Sequence, residues 1–253
     1  MKVSIITVCF NSAETIRDTM VSVANQTYPD IEHVIVDGGS KDRTMEIVQE
    51  FRDQLGPVIS EPDKGLYDAM NKGVQAATGD VIGILNSDDF YETDDAVQAV
   101  MDAFGRQPDL DIVFGNVVFV APEDLSAITR FYRAGHFRPW KLRFGWMPPH
   151  PATFVRREAY EACGQYRLDF KIAADYEMFV RWLAIAGLRY QWVNKVIVRM
   201  RAGGVSTSGI KSSLLLNREI VRACLENGIY TNLALVMTKL PFKLMELWRK
   251  SGR

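Results

Sequence analysis

Cysteine is scarce in this chain: three residues in 253, placed far apart at Cys9, Cys163 and Cys224. An odd, widely spaced set fits neither a disulfide framework nor a thiolate zinc site. Small apolar packing residues in a reducing compartment are the expectation instead. Long hydrophobic runs are missing as well, for no apolar stretch approaches the roughly 20 residues that a spanning helix needs. The opening MKVSIITVCFN carries one lysine and an apolar run that stops at Asn11 without a small-residue cleavage site. It reads as a buried strand rather than a signal peptide. Net charge is nearly absent, at −1, which removes any whole-protein case for nucleic-acid binding. No internal repeat or linker marks off an independent domain. A cytoplasmic protein is expected, at most peripheral at the inner face of a membrane.

What is present has the make-up of a globular enzyme. With 47% apolar, 24% charged and 11% aromatic residues, the chain is too apolar and too aromatic to be disordered. Its charge is unevenly spread. From Arg199 onward ten Lys/Arg stand against three Asp/Glu, a balance of +7 that leaves −8 on residues 1–198. An acidic body with a basic tail suggests a tail that meets something anionic. In that tail Leu233, Val236, Met237, Leu240, Leu244, Leu247 and Trp248 recur at helical spacing, with lysines between. Pro241 should kink or split the helix. An interfacial helix lying on anionic lipid fits this pattern. Packing on the body of the protein, or on a second copy in a homo-oligomer, is the alternative.

The first half alternates strand and helix. Val3 to Cys9 is a β-branched run suited to a central parallel strand. Asn11 and Glu14 have capping-box spacing for a helix that places Ile16, Met20 and Val23 on one face. Ile31 to Val36 and Val58 to Ile59 read as further strands, with helices over Thr44–Gln54 and Leu66–Ala77 and a fourth strand over Asp80–Leu85. This order argues for a parallel sheet with helices on both faces. Beyond it, Asp111 to Val120 reads as a strand, residues 126–149 show no clean period, and Ala174 to Ala186 reads as a helix. Arg189 to Met200 supplies one or two closing strands, and two amphipathic helices end the chain. A domain over residues 1–205 and a helical extension over 206–253 are therefore expected.

In such sheets ligands bind beyond the carboxyl ends of the strands. Three polar clusters fall there: CFNS, DGGSKD and NSDD. Asp88 and Asp89 are adjacent carboxylates whose hard oxygens suit Mg²⁺ or Mn²⁺, and such an ion could hold a diphosphate. Alternatively one of them caps a turn. Asp37 precedes two glycines that let the backbone approach a ligand, and its carboxylate can accept from a base or ribose; Asp42 reads as a helix cap. Asp175 stands near a helix start, where the dipole favours its charged form, so it serves either as a general base or as a cap. His150 reads as a metal or acceptor contact, or as a structural residue beside prolines. RFYRAGHFRPWKLRFGW mixes five cations with six aromatics, a combination that stacks on sugar rings and grips phosphates. Arg143 and Trp146 of that segment are candidate acceptor contacts.

Taken in order, IITVCFN, VIVDGGSKDRT, EPDKGLYDAMNKG, GDVIGILNSDD and AADYE resemble the family 2 glycosyltransferases of GT-A fold, over roughly residues 1–205. The similarity is strongest to small bacterial enzymes of polysaccharide assembly. Val8 departs from the proline that many members carry. The resemblance implies an α/β, GT-A-like (Rossmann-like), mostly parallel sheet and an inverting, metal-dependent transfer from a nucleotide sugar, UDP by default. The acceptor would be a saccharide, lipid-linked for a surface polysaccharide. It gives Asp37 the base contact, Phe10 and Asn11 the wall of that pocket, and Asp63 a place near base and ribose. Thr7, Lys64 and Gly65 join the donor set, although Lys64 alone reads as solvent-pointing and Gly65 as a turn residue. Asp88 and Asp89 match the metal motif, with Asp89 ahead as direct ligand, and Asp175 matches the general base, with Glu177 behind it. Gly204 and Ser206 in GGVS, after Arg199 and Arg201, would form a flap over the diphosphate. Two alternatives stay open. A sugar nucleotidyltransferase would want a glycine- and arginine-rich loop where CFNSAET stands; an idle nucleotide-binding scaffold would want the carboxylates lost.

Overall fold

The computed structural model describes residues 1–203 and 210–239. Four parallel strands form its first half: β1 (Val3–Cys9), β2 (Ile31–Asp37), β3 (Val58–Ser60) and β4 (Val81–Ile84), in the order β3-β2-β1-β4. Strand side chains alternate between faces, and β1 shows the consequence. Ile6 and Val8 pack with Tyr67, Met70 and Val74 of α3 (Leu66–Ala76) on one side of the sheet. Val3 and Ile5 pack with Val97, Val100 and Phe104 of α4 (Ala96–Arg106) on the other. That second side also carries α1 (Ile16–Ala24) and α2 (Thr44–Gln49), whose Ile16, Met20, Ile47 and Val48 join Cys9 and Ile35. A central strand clothed on both faces explains its unbroken apolar run.

The second half of the sheet is mixed. β8 (Thr153–Arg156) runs antiparallel between β4 and β6 (Ile112–Ala121), and β9 (Tyr190–Arg201) lies parallel on the other edge of β6. β5 (Phe90–Tyr91) pairs with the far end of β9. β7 (Asp124–Tyr132) folds back on β6 as a hairpin, so part of the segment expected to be irregular is a strand. α5 (Arg157–Cys163) follows β8, and α6 (Ala174–Phe179) continues into a π-helical turn over Val180–Ile185. The expected closing strands are one twelve-residue strand, β9.

Two expectations need correction. The long helix expected from Thr44 to Gln54 stops at Gln49, and a separate 3-10 turn covers Arg52–Gln54. Asn11 does not cap α1; it sits at φ 49°, a left-handed conformation that asparagine tolerates, and the first turn is tied instead by the Ile16 amide to the Ser12 carbonyl at 2.9 Å. The packed core also runs past residue 205. Ile220, Ala223 and Cys224 of α7 (Ile210–Glu226) and Val236 of α8 (Leu233–Met237) are buried in the cluster that contains Tyr176 and Phe179. All three cysteines are free thiols, as the sequence suggested. Among the described residues no helix is long and apolar enough to cross a membrane. Leu240, Leu244, Leu247, Trp248 and Pro241 of the expected tail helix lie outside the described residues.

Candidate active site

The loops that leave β1, β2 and β4 are bound to one another. The Asn11 amide donates to Ser40 Oγ at 2.8 Å, and Asn11 Oδ1 accepts from the Lys41 amide at 2.8 Å. The Ser12 and Ala13 amides donate to Thr44 Oγ1 and Asp42 Oδ2, while Ser87 Oγ meets Ser12 Oγ at 2.9 Å. Asp42 also accepts from the Thr44 amide at 3.0 Å, tying the loop together, while the cap position of α2 falls on Arg43. Side-chain bonds of this kind fix loops that have no ladder of their own. Gly38 closes the ring: a Cβ there would meet Asp63 Oδ2 at 2.5 Å and the Phe10 ring at 3.4 Å. Phe10 stays exposed at the rim, half-buried Asp63 accepts from the Gly65 amide at 2.7 Å, and Gly65 turns the chain at φ 111°. Lys64 is exposed, as its own chemistry suggests.

Two donor-site candidates lie beneath the crevice. Thr7 is fully buried, its hydroxyl 2.9 Å from His33 Nε2. Asp37 is also fully buried. Its carboxylate takes the Gly39 and Ser40 amides, the Ser40 hydroxyl and, at 2.6 Å, the Ser60 hydroxyl. Two carboxylate oxygens have about four acceptor positions, and these donors fill them. Here Asp37 organises the DGGSKD loop from below.

Asp88 and Asp89 follow β4 as predicted. Asp88 is half-buried, whereas Asp89 is only 1% exposed. Burial raises the pKa of both, and the neighbouring Asp88 charge pushes Asp89 further, to well above the usual carboxylate range. Asn86 Nδ2 reaches Asp89 at a long 3.4 Å, and buried Asn86 Oδ1 has no partner among the described residues. Asn86 Oδ1 is thus a hard oxygen acceptor left unspent beside the two carboxylates. Among the described residues no group of three or more His, Cys, Asp or Glu forms a metal cage. Arg201 is seated beside the turn, donating to the Asp88 carbonyl at 2.6 Å and pairing with Asp18. Arg199 is spent elsewhere, on Glu92 and the Leu125 carbonyl. Gly204 and Ser206 lie outside the described residues.

Asp175 stands at the start of α6, half-buried. Burial raises its pKa; His150, the Tyr176 amide and Tyr67 act in the opposite sense. Its Oδ1 accepts from the Tyr176 amide at 2.8 Å and lies 3.3 Å from Tyr67 Oη, whose single proton is directed chiefly at the Ile172 carbonyl. Among the described residues Oδ2 is therefore left to accept. Glu177, the alternative base, is 1% exposed and tied to Arg181 at 2.9 Å, so it is structural. His150 lies near Asp175, its pKa lowered by burial, with Nε2 2.8 Å from Tyr166 Oη. Arg143 turns to the Tyr230 carbonyl at 3.2 Å, which ties the 3-10 turn Pro139–Phe144 to the C-terminal segment rather than to an open surface. Trp146 is half-buried beside it, while Trp140 stands 62% exposed. Tyr67 and Glu219 act on the Asp175 segment without having been legible as site residues. Tyr67 lies within EPDKGLYDAMNKG but nothing in that string points to Asp175, and Glu219 in a distant helix belongs to no motif.

The glycosyl transferase family 2 model matches residues 4–164 of this chain. A PGL/p-HBAD biosynthesis glycosyltransferase of Mycobacterium tuberculosis is 32% identical over 216 residues, covering 84% of this chain and 82% of that one. Chondroitin synthase of Pasteurella multocida is 30% identical over 208 residues, 81% of this chain but 21% of the synthase. Among solved structures, residues 1–349 of S. aureus TarS in complex with UDP-GlcNAc superpose with a TM-score of 0.69 at 18% identity, over 95% of this chain and 72% of that one. The longer TarS chain is covered over 40% of its length. The mannosyltransferase PcManGT of Pyrobaculum calidifontis, in complex with GDP-Man and Mn²⁺, superposes at 0.66 with 20% identity, over 89% and 63% of the two chains. With the family model spanning most of the chain and a near full-length relative above 30% identity, this protein belongs to glycosyl transferase family 2 and is a glycosyltransferase of GT-A type.

Proposed function

We propose that the chain transfers a sugar, with inversion, from a nucleoside diphosphate sugar to a hydroxyl of a saccharide acceptor. The observation that carries this reading is Asp175: a half-buried carboxylate held through Oδ1, with Oδ2 left without a partner among the described residues. In the reaction Oδ2 takes the proton of the acceptor hydroxyl as its oxygen bonds to the anomeric carbon. The bond from that carbon to the diphosphate breaks on the opposite side, and the nucleoside diphosphate leaves with the electron pair. A raised pKa makes Asp175 a stronger proton acceptor than an ordinary aspartate. Phe10, Asn11 and Asp63 line the base and ribose end, over the loop that Asp37 braces.

Asp88, with Asn86 Oδ1 at its side and Asp89 behind, has the chemistry to hold Mn²⁺ or Mg²⁺. Such ions commonly take one or two protein carboxylates and leave other positions to phosphate oxygens. A bound ion would supply charge neutralisation to the diphosphate as it leaves. Arg201, near the same turn, contributes fixed positive charge. UDP is the default nucleotide, supported by the UDP-GlcNAc complex of TarS, while the GDP-Man complex of PcManGT keeps GDP in contention. A lipid-linked acceptor at an anionic membrane surface is supported by the basic tail and by exposed Leu233 and Met237 on α8. Exposed Trp140 offers a ring for sugar stacking.

Calorimetric titration of UDP, GDP and dTDP, with and without Mn²⁺, on wild type and Asp88→Ala tests this. Metal-dependent binding of one nucleotide, lost in the variant, is the expected result. No binding of any nucleotide under any condition would overturn the assignment of the crevice.

A further inference from the structure

The segment that leads into Asp175 is held from outside the glycosyltransferase motifs. Glu219, 6% exposed on α7, accepts three successive backbone amides: Lys171 at 2.8 Å, Ile172 at 2.9 Å and Ala173 at 2.9 Å. Charge-assisted bonds of this kind are among the stronger ones a protein makes. One helical turn on, Arg222 donates to the Asp169 carbonyl at 3.0 Å, pairs with the Asp169 carboxylate and stacks over Phe170 at 4.3 Å. Another turn on, Glu226 meets Arg167 at 2.7 Å and Arg222 at 2.7 Å. The spacing of 219, 222 and 226 puts all three on one face of the helix. From the opposite side α3 grips the same stretch. Asn71 exchanges two bonds with Tyr166, at 2.8 and 2.9 Å, and Tyr67 Oη donates to the Ile172 carbonyl at 2.5 Å.

We propose that α7 is a positioning element for the general base: its Glu219 fixes the 171–173 backbone so that Asp175 presents Oδ2 to the acceptor. The proposal rests on the reading of Asp175 as the base. Glu219 touches no reacting atom and acts only through the backbone. A carboxylate is required because three amides converge on it, whereas a glutamine amide turns one end from acceptor to donor. A small displacement of a catalytic group lowers turnover steeply, while the nucleotide pocket, built from the β1, β2 and β4 loops, is untouched.

The test compares Glu219→Gln with wild type in four readouts: kcat for transfer, KM for the donor, Kd for the nucleotide, and amide hydrogen exchange at residues 171–173. Faster exchange at those amides, a kcat lowered on the order of tenfold or more, and unchanged KM and Kd are expected. An unchanged kcat despite faster exchange would overturn the proposal. So would a joint fall in kcat, nucleotide binding and melting temperature, which marks a purely structural role. Should Glu219→Gln fail to fold, Arg222→Lys probes the same face, with the same kcat-selective loss expected. Full activity of Asp175→Asn would sink the reading of the base itself, and with it this proposal, whatever the Glu219 variant does.

Discussion

At the scale of single residues, chemistry here depends on how burial changes a carboxylate. In the proposed role of general base, Asp175 works only when ionised, so kcat/KM should rise with pH through its pKa. Because burial raises that pKa, the acid limb of the profile is expected above the ordinary aspartate value of about 3.9. Asp175→Asn should lower kcat by roughly 10²–10⁴ and leave nucleotide affinity intact, as steady-state kinetics and calorimetry would report. Asp89 carries a different expectation. A carboxylate whose folded pKa is raised stabilises the fold while protonated and loses that contribution as pH climbs through the raised value. Asp89→Asn should therefore melt higher than wild type at neutral pH, by about 2–4 °C for each kcal/mol gained. The gain should shrink in acid and be accompanied by weaker metal-assisted nucleotide binding. A variant that melts lower at neutral pH would contradict this account of the buried pair.

At the scale of elements, the crevice depends on how closely helices approach the sheet. Gly73 of α3 lies against β1, where an added Cβ would meet Ile6 Cγ2 at 2.4 Å. Ile6 is fully buried in a central strand and has no room to give. Gly73→Ala gains up to about 1 kcal/mol of helix propensity but meets an overpacking cost of about 1–3 kcal/mol. Net destabilisation in a denaturant titration is the expected outcome. Because α3 also delivers Tyr67 to Asp175, a partial loss of kcat should accompany it. The first four strands and their helices were legible because a strand buried on both faces is a continuous β-branched run, and amphipathic helices repeat at 3.6. β7 was not legible. It is a half-exposed strand with alternating burial whose place depends on pairing with β6, and its arginines and aromatics blur the pattern. α4 and α5 went unread for a related reason: they follow the carboxylate turn and the proline-rich stretch, where no motif draws attention to an ordinary amphipathic period, whereas the strand after His150 was expected and is β8.

At the scale of the molecule, the charge asymmetry has a measurable consequence. With −8 on residues 1–198 and +7 beyond, the tail and the body should respond oppositely to an anionic surface. Flotation with vesicles containing phosphatidylserine should show binding that falls as salt rises, with little binding to neutral vesicles. Salt-independent binding, or none, would leave the tail to the body of the protein or to a second copy. The described part of the C-terminal segment already packs on the body, through Ile220, Ala223, Cys224 and Val236. Helix α7 therefore belongs to the catalytic core in packing, even though its sequence reads as an extension.

The sequence alone determined the family, the parallel half of the sheet, and the identity of the carboxylates at its strand ends. Each of those is written locally: a motif is a short string, and a strand's burial shows in its own residues. Only the tertiary structure decided what each carboxylate faces. Asp37 and Asp89 turned inward, Asp88 and Asp175 stayed partly open, and Glu177 was spent on Arg181. It also decided that Glu219, dozens of residues away, holds the backbone before Asp175. Solvation and partners are set by what the chain brings together from afar, and no string of neighbouring residues contains that information.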